Sequence, residues 1–446
     1  MTLLTERARL FYDGWEKLPE ERRRILSKEN LDRYVSFAAG SVAFYQDRLA
    51  QYEKDAQHPL KDVPVLSSSD LRSLLPPVAD TLVVGGAKDY TVFQSGGTTG
   101  VPKTTLFSHA ELEQLNLPNA RGFYALGLSE TDRVANLFAV GGLYMTFVHI
   151  NRMLQQYGCM NFPFSNHTPV DFIHTVVKLF SVNTMTGIAS VVMNCLRGMS
   201  EIGAEGIKIE KIFYGGEHLY EADKKEITER FGTKLIAAPG YGTVDTWYLG
   251  YQCLQCPTGV FHAHDDQVYL EIVNEDTNEH CGNEPGMLYA TAFLRRLTPI
   301  IRYRVGDRAR WLAEPCPCGR TTPLFKLLGR GDDVLRVGYD SVDYQFIQET
   351  VMKVPGLTGT VQIQKSRESG KDRLIVRVET ELKENELEKV ATLLEREIVE
   401  ARPSLRDFIK KETIWPIKIE LVKLGALPRN SRTGKLIRVI DAMNDV

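Results

Sequence analysis

Nine residues, Ser95-Gly-Gly-Thr-Thr-Gly-Val-Pro-Lys103, hold the densest chemistry in this 446-residue chain. Gly96, Gly97 and Gly100 let backbone N–H groups turn toward an anion. The hydroxyls of Ser95, Thr98 and Thr99 add donors, and Lys103 adds positive charge. A phosphate-binding loop is the natural reading. A Walker A loop does not fit, because Val101 and Pro102 separate Gly100 from Lys103. The preceding Tyr90-Thr-Val-Phe-Gln94 reads as a buried strand, which argues against a plain surface turn.

Four of the seven cysteines form two tight pairs, Cys253-x-x-Cys256 and Cys316-x-Cys318, on turn-like sequence. Such spacings bring two thiolates within reach of one ion, so a structural, tetrahedral Zn²⁺ is expected, with no open position for catalysis. His262 and His264 follow the first pair and could displace one cysteine. The plainer alternative is two unrelated turns with free thiols. Cys159 and Cys195 stand apart as bystanders.

These groups need elements to position them. Helical apolar spacing over Leu31–Tyr45 puts helices in the first hundred residues. From Tyr90 to Gly240 short apolar strands alternate with helical stretches, as at Arg133-Val-Ala-Asn, Lys211-Ile-Phe-Tyr and Lys234-Leu-Ile-Ala-Ala. This predicts layered α/β structure with strands buried on both faces. Alternation from Gln267 to Trp311 predicts a smaller, mainly antiparallel sheet or barrel. Beyond Gly329-Arg-Gly-Asp-Asp333 come strands at Thr360 and Arg373, an amphipathic helix at Glu384 and a strand at Pro416. The expected organisation is α/β: a large N-terminal domain over 1–328 with a β-barrel-like part, a hinge at 329–333, and a small mobile α+β domain over 334–446.

Composition excludes more than it names. Lys+Arg 54 against Asp+Glu 57 gives −3, without the basic excess of a nucleic-acid binder. No run of apolar residues is long enough for a membrane span. The opening residues lack a secretion signal, and the odd cysteine count suits a reducing, cytoplasmic setting.

The loop at 95–103 resembles the nucleotide-phosphate signature of the adenylate-forming enzymes, which comprise acyl-CoA synthetases, adenylation domains and luciferases. Tyr241-Gly-Thr-Val-Asp245 resembles that family's Tyr-Gly-x-x-Glu motif, and Arg302-Tyr-Arg-Val-Gly-Asp307 its Tyr-Arg-Thr-Gly-Asp motif. Gly329–Gly338 resembles its hinge, and Leu427-Pro-Arg-Asn-Ser-Arg-Thr-Gly-Lys435 its C-terminal Pro-Arg-x-x-x-Gly-Lys motif. Val42–Leu49, Asp62–Leu71 and Cys316-Pro-Cys-Gly-Arg are similar to the phenylacetate–CoA ligase branch, the last to its zinc-bearing subset.

The resemblance implies ATP-dependent conversion of a carboxylic acid to an acyl-adenylate, then a thioester with coenzyme A, by domain alternation. Lys435 would neutralise the carboxylate and the α-phosphate, and Thr98 and Asp245 would join it in catalysis. Asp307 would accept the ribose hydroxyls, and Arg330 would steady ribose or phosphate. Gly215, Gly216, Glu217, Pro239, Gly240, Tyr241, Gly242 and Thr243 would border the adenine. Asp332 would be the pivot that brings the Arg336–Gly338 loop in for the second half-reaction. Asp245 stands where the family uses Glu for Mg²⁺, one methylene shorter, so that the ion would shift or take a bridging water.

An acid pocket is expected from Phe138, Gly141, Tyr144, Met185, Gly187 and Ala238, suiting an aromatic or medium apolar acid; core packing explains the same residues equally well. Lys103, Arg330 and Lys435 would gather around the triphosphate. Two other outcomes remain open: delivery of the acyl group to a carrier-protein thiol or partner enzyme, and a catalytically impaired nucleotide-binding regulator. Homodimerisation is also left open.

Overall fold

A computed structural model of the chain describes residues 6, 14–94, 103–216, 219, 221–331, 334–337, 340–368, 371–430 and 434–441. The chain divides into two units, Met1–Leu328 with Arg432–Gly434, and Gly329–Ser431 with Lys435–Val446.

The first unit opens with helices α1 (Glu20–Ser41), α2 (Ala43–Arg48) and α3 (Ser68–Leu74). Helix α1 buries Leu31, Tyr34, Val35 and Ala38, the spacing of one helical face. A capping box between Ser67 and Asp70 starts α3. Strands β1 (Tyr90–Gln94) and β2 (Thr104–Ser108) then form an antiparallel hairpin. Here the sequence reading needs correction: β1 is half-buried, with Phe93 its one fully buried residue, and it pairs with β2 rather than joining the parallel sheet.

That sheet comprises β3 (Arg133–Asn136), β4 (Met160–Pro163), β5 (Thr184–Ile188), β6 (Lys211–Gly215) and β7 (Leu235–Ala237), in the order β4-β3-β5-β6-β7. Its helices are α4 (His109–Gln114), α5 (Asn116–Ala125), α6 (Met145–Tyr157), α7 (Val170–Phe180), α8 (Ala189–Ile202) and α9 (Glu221–Phe231). Both faces are covered, as parallel strands require. Phe123, Ile150, Leu154 and Phe213 pack on one face, and Ile173, Leu196 and Ile212 on the other.

An eight-stranded, largely antiparallel sheet follows. Its strands are β8 (Tyr241–Thr243), β9 (Trp247–Tyr251), β10 (Val260–Ala263), β11 (Val268–Asn274), β12 (Glu279–His280), β13 (Gly286–Ala292), β14 (Ile300–Leu312) and β15 (Leu324–Arg330). The order is β12-β11-β13-β14-β15-β10-β9-β8. The sheet thus starts at Tyr241 and ends at Arg330, wider than the Gln267–Trp311 stretch that alternation predicts. Strands β8 and β10 are too short to show a period. Leu31, Tyr34 and Leu66 share a core with Leu249, Leu288, Ile301 and Phe325, so the N-terminal helices pack on this sheet.

The second unit holds a hairpin, β16 (Val334–Val337) with β17 (Asp340–Asp343). A four-stranded sheet follows, built from β18 (Leu357–Glu368), β19 (Lys371–Thr380), β20 (Lys418–Lys423) and β21 (Val439–Asp441) in the order β20-β19-β18-β21. Helices α10 (Tyr344–Val351), α11 (Glu384–Ala401) and α12 (Pro403–Lys410) enclose a core of Ile347, Val376, Leu394 and Ile398. Among the described residues no helix is long and apolar enough to cross a membrane.

Candidate active site

The parallel sheet reverses its order at β3: the chain continues to β4 on one side and returns to β5 on the other. In open α/β sheets the crevice beyond the carboxyl ends of such neighbours is where ligands bind. Phe138, Gly141 and Tyr144 leave the end of β3, and Gly187 lies near the end of β5. Gly215 ends β6, with Gly216 after it, and Ala238 to Gly240 follow β7. The expected adenine-bordering and pocket segments thus emerge from one edge. Glu217 lies outside the described residues, as do Ser95, Gly96, Gly97, Thr98, Thr99 and Gly100.

Close backbone contacts build this edge. The Leu137 N–H donates to Thr186 O at 2.7 Å, and a Cβ on Gly187 would lie 3.1 Å from Leu137 Cβ. The loop after β3 turns through left-handed Gly141 and Gly142, and its Leu143 O accepts from the Gln94 N–H at 3.0 Å. The end of β1 is thereby fixed beside this loop. Met185 is fully buried with Val192, Leu196 and Met199, so ordinary packing accounts for it and it offers no pocket surface here. Phe138 is nearly buried, its ring 3.7 Å from where a Gly215 Cβ would stand.

Buried Pro239 rests on helix α5, where a Cβ at Gly122 would lie 1.8 Å from Pro239 O. The obstructing atom is backbone, so one of the two segments must shift, and Gly122→Ala is expected to destabilise the protein by about 3 kcal/mol in urea unfolding. Gln252, which sequence reasoning missed, holds the same segment: its Oε1 accepts from the Ala238 N–H at 2.9 Å. Its Nε2 donates to Pro257 O and Val260 O. A lone Gln before a Cys-x-x-Cys pair carries no sequence signal for that task.

Tyr241 OH donates to Asp307 Oδ2 at 2.7 Å, joining two of the motif residues across the sheet. Gly240 and Gly242 face Tyr248 and Trp247, whose atoms would lie 2.4 Å and 2.1 Å from an added Cβ. Thr243 Oγ1 accepts from the Thr246 N–H at 3.2 Å, shaping the turn that carries Asp245.

Asp245 is 2% exposed and Lys103 5%. The Lys103 ammonium is paired with Asp245 Oδ2 and lies 2.7 Å from Tyr303 OH. Tyr303 OH donates to the same oxygen at 3.0 Å, and Thr105 Oγ1 donates to Asp245 Oδ1 at 3.1 Å. Lys103 therefore does not extend its charge toward solvent, as the loop reading expects. Tyr303 and Thr105 were not among the expected site residues, although Tyr303 sits inside a quoted motif. Behind β2, buried Arg295 donates to Leu106 O at 2.7 Å and lies over the Phe107 ring at 3.7 Å.

Beside this turn, His149 on α6 meets the Trp247 ring edge-on at 4.1 Å, and its Nε2 has no partner among the described residues. Burial pushes its pKa down to about 3. Between pH 6.5 and 3 the unfolded chain binds a proton there that the folded chain refuses, so stability falls as pH drops through that window. Asp265, pushed up to about 6 by burial, works in the opposite direction. His149→Leu is expected to flatten the loss between pH 7 and 5 by about 2 kcal/mol in urea unfolding compared with wild type.

The second candidate cluster joins His262 of β10 to Cys253 and Cys256, between β9 and β10, and to Cys316 and Cys318, between β14 and β15. Cys253 Sγ is 3.5 Å from Cys256 Sγ and 3.6 Å from Cys316 Sγ. Donor atoms of Cys253, Cys256, His262 and Cys316 all lie within 4.8 Å of one another. His262 Nε2 is 3.5 Å from Cys318 Sγ, while its Nδ1 is 2.9 Å from Thr322 Oγ1, which fixes the ring. A zinc tetrahedron with bonds of about 2.3 Å has sulfur–sulfur edges of about 3.8 Å, close to what is found. Burial raises the Cys316 pKa, and the Cys253 sulfur raises that of Cys318; a cation would relieve both. His264 stands outside the four, packed on the Tyr251 ring at 4.9 Å. Arg320, two residues past Cys318, donates to buried Glu16 Oε2 at 3.1 Å, and Tyr251 OH also donates to Glu16. The cluster thus braces the N-terminal segment.

In the second unit, Lys435 is held through its backbone. Its O accepts from the Asn430 N–H at 2.7 Å, and the Ile437 N–H donates to Pro428 O at 3.0 Å. Arg330 ends β15 next to left-handed Gly329. Arg336 is in β16, while Asp332 and Gly338 lie outside the described residues.

The family model for the AMP-binding enzyme C-terminal domain matches residues 345–443. The chain is 26% identical over 443 residues to the phenylacetate-coenzyme A ligase of Thermus thermophilus, covering 96% of this chain and 98% of that protein. It is 26% identical over 446 residues to the Escherichia coli phenylacetate-coenzyme A ligase, covering 97% and 98%. The crystal structure of 2-hydroxyisobutyryl-CoA ligase with 2-HIB-AMP superposes with a TM-score of 0.76 at 22% identity, over 96% of this chain and 91% of that one, a likeness of fold. Over nearly its whole length the chain is thus similar to phenylacetate-coenzyme A ligases, and these likenesses support the adenylate-forming superfamily, on its phenylacetate–CoA ligase-like branch.

Proposed function

We propose that the chain joins a carboxylic acid to coenzyme A at the expense of ATP. A carboxylate oxygen attacks the α-phosphorus and pyrophosphate leaves. The thiol sulfur then attacks the acyl carbon and AMP leaves, the thiol proton passing to solvent. The observation that carries this reading is the reversal point of the parallel sheet, where the segments after β3, β5, β6 and β7 share one edge.

Within this reading the loop at 95–100 cradles the phosphates, and Asp307, steadied by Tyr241, accepts the ribose hydroxyls. Gly215, Gly216 and Pro239 to Thr243 border the base, and Arg330 supports ribose or phosphate. Lys435 supplies the charge that lets two anions approach as the pentavalent state forms. Phe138, Tyr144 and the small Gly141, Gly187 and Ala238 favour an aromatic or medium apolar acid. Alternation of the second unit about Asp332 between the half-reactions is part of the same reading. Mg²⁺ would accompany ATP, but the buried Asp245 carboxylate is engaged by Lys103, Tyr303 and Thr105, with Oδ2 shared by the ammonium and the phenol. Zn²⁺ would be held by Cys253, Cys256, His262 and Cys316, with Cys318 the alternative fourth ligand, and would clip three chain segments together.

The test is pyrophosphate and AMP release over a panel of aromatic and aliphatic acids, with coenzyme A, with a carrier protein, and with neither. Acid-dependent pyrophosphate release, with thioester formed when coenzyme A is present, supports the reading. No release with any acid would leave a nucleotide-binding regulator. Thioester on the carrier protein alone would change the acceptor.

A further inference from the structure

Asp245 occupies the position where a metal-binding carboxylate is expected, yet its surroundings suit another task. It is 2% exposed. A carboxylate has about four lone-pair sites, and three are filled: two on Oδ2 by Lys103 and Tyr303, one on Oδ1 by Thr105. Mg²⁺ demands a nearly ideal octahedron of oxygens and keeps several of its waters. A buried oxygen already bound to an ammonium has no room for that shell, and the ammonium would repel the dication.

The partners come from three separate elements. Lys103 immediately precedes β2, Asp245 lies in the turn between β8 and β9, and Tyr303 is on β14. Lys103 also directly follows the loop expected to cradle phosphate. A buried ammonium requires a counter-charge, and the only carboxylate paired with Lys103 among the described ion pairs is Asp245. We propose that Asp245 is a positioning residue: it is the counter-ion that fixes Lys103, the residue on which the nucleotide reading places positive charge, and is not the ligand of the nucleotide's metal ion. This rests on reading the first unit as the nucleotide site.

The full-length protein tests it with a non-hydrolysable ATP analogue and Mn²⁺, read by electron paramagnetic resonance. Nucleotide affinity is measured with metal and in EDTA for wild type, Asp245→Asn, Tyr303→Phe and Thr105→Val. Asp245→Asn is expected to weaken nucleotide binding at least threefold in both conditions, with Mn²⁺ affinity of the nucleotide complex changed less than threefold. Tyr303→Phe and Thr105→Val are expected to shift nucleotide affinity the same way by smaller factors, and they carry the test if Asp245→Asn does not fold. Mn²⁺ affinity weakened threefold or more, or metal-free nucleotide affinity unaltered, would overturn the proposal. A wild type that binds no analogue would overturn the nucleotide-site reading itself, an outcome separate from a metal-specific loss in the variants.

Discussion

Lys435→Ala is expected to leave the chain folded and able to bind ATP while acid-dependent pyrophosphate release falls by at least about a hundred- to a thousandfold. Removing one preorganised group that meets charge developing in a transition state has a loss of that size. The effect falls on the first half-reaction, because there a carboxylate must approach a phosphate of the same sign. The backbone bonds Asn430 N–H to Lys435 O and Ile437 N–H to Pro428 O involve no side chain of Lys435, so alanine leaves them in place. Parallel measurements of ATP binding and single-turnover adenylate formation separate chemistry from folding. Full residual activity would refute the role given to Lys435.

The second large effect concerns the cysteine cluster. One zinc per chain is expected by elemental analysis, and its removal by a strong chelator should lower the unfolding free energy by as much as about 10 kcal/mol. Cys316→Ser should show the same direction without chelator. The loss would spread from the cluster to the N-terminal segment, since Arg320, beside Cys318, holds Glu16, and Glu16 also accepts from Tyr251. Proteolysis near residues 14–23 should accelerate in the treated protein. A metal-free preparation that is folded and active would remove the zinc assignment.

What the sequence revealed most clearly was chemistry written in short contiguous strings. Cys253-x-x-Cys256 and Cys316-x-Cys318 announce nearby thiols because two or three residues cannot separate them far, and the βα rhythm foretells parallel strands. The partners of Asp245 were hidden for the opposite reason. Lys103 and Tyr303 stand 142 and 58 residues away, joined only by the fold. Burial was equally hard to read. Tyr90–Gln94 has the composition of a core strand but lies in a half-buried hairpin, and Met185 sits in the core because strand alternation turns it toward α8. Of His262 and His264, which are two residues apart on the same sequence, only the first joins the donor cluster. Nothing in residue type distinguishes them; the fixing of His262 by Thr322 does.

Trp247 gives the protein an optical consequence. Four tryptophans are present, and this one is nearly buried, two residues beyond Asp245, with its indole N–H directed to Leu115 O at 3.3 Å. His149 against its ring stays neutral down to about pH 3, so protonation of that imidazole does not alter the indole's emission across the physiological range. Fluorescence changes lost in Trp247→Phe then report the turn between β8 and β9 itself. The chain carries, beside the carboxylate whose role is in question, its own label-free gauge of what happens there.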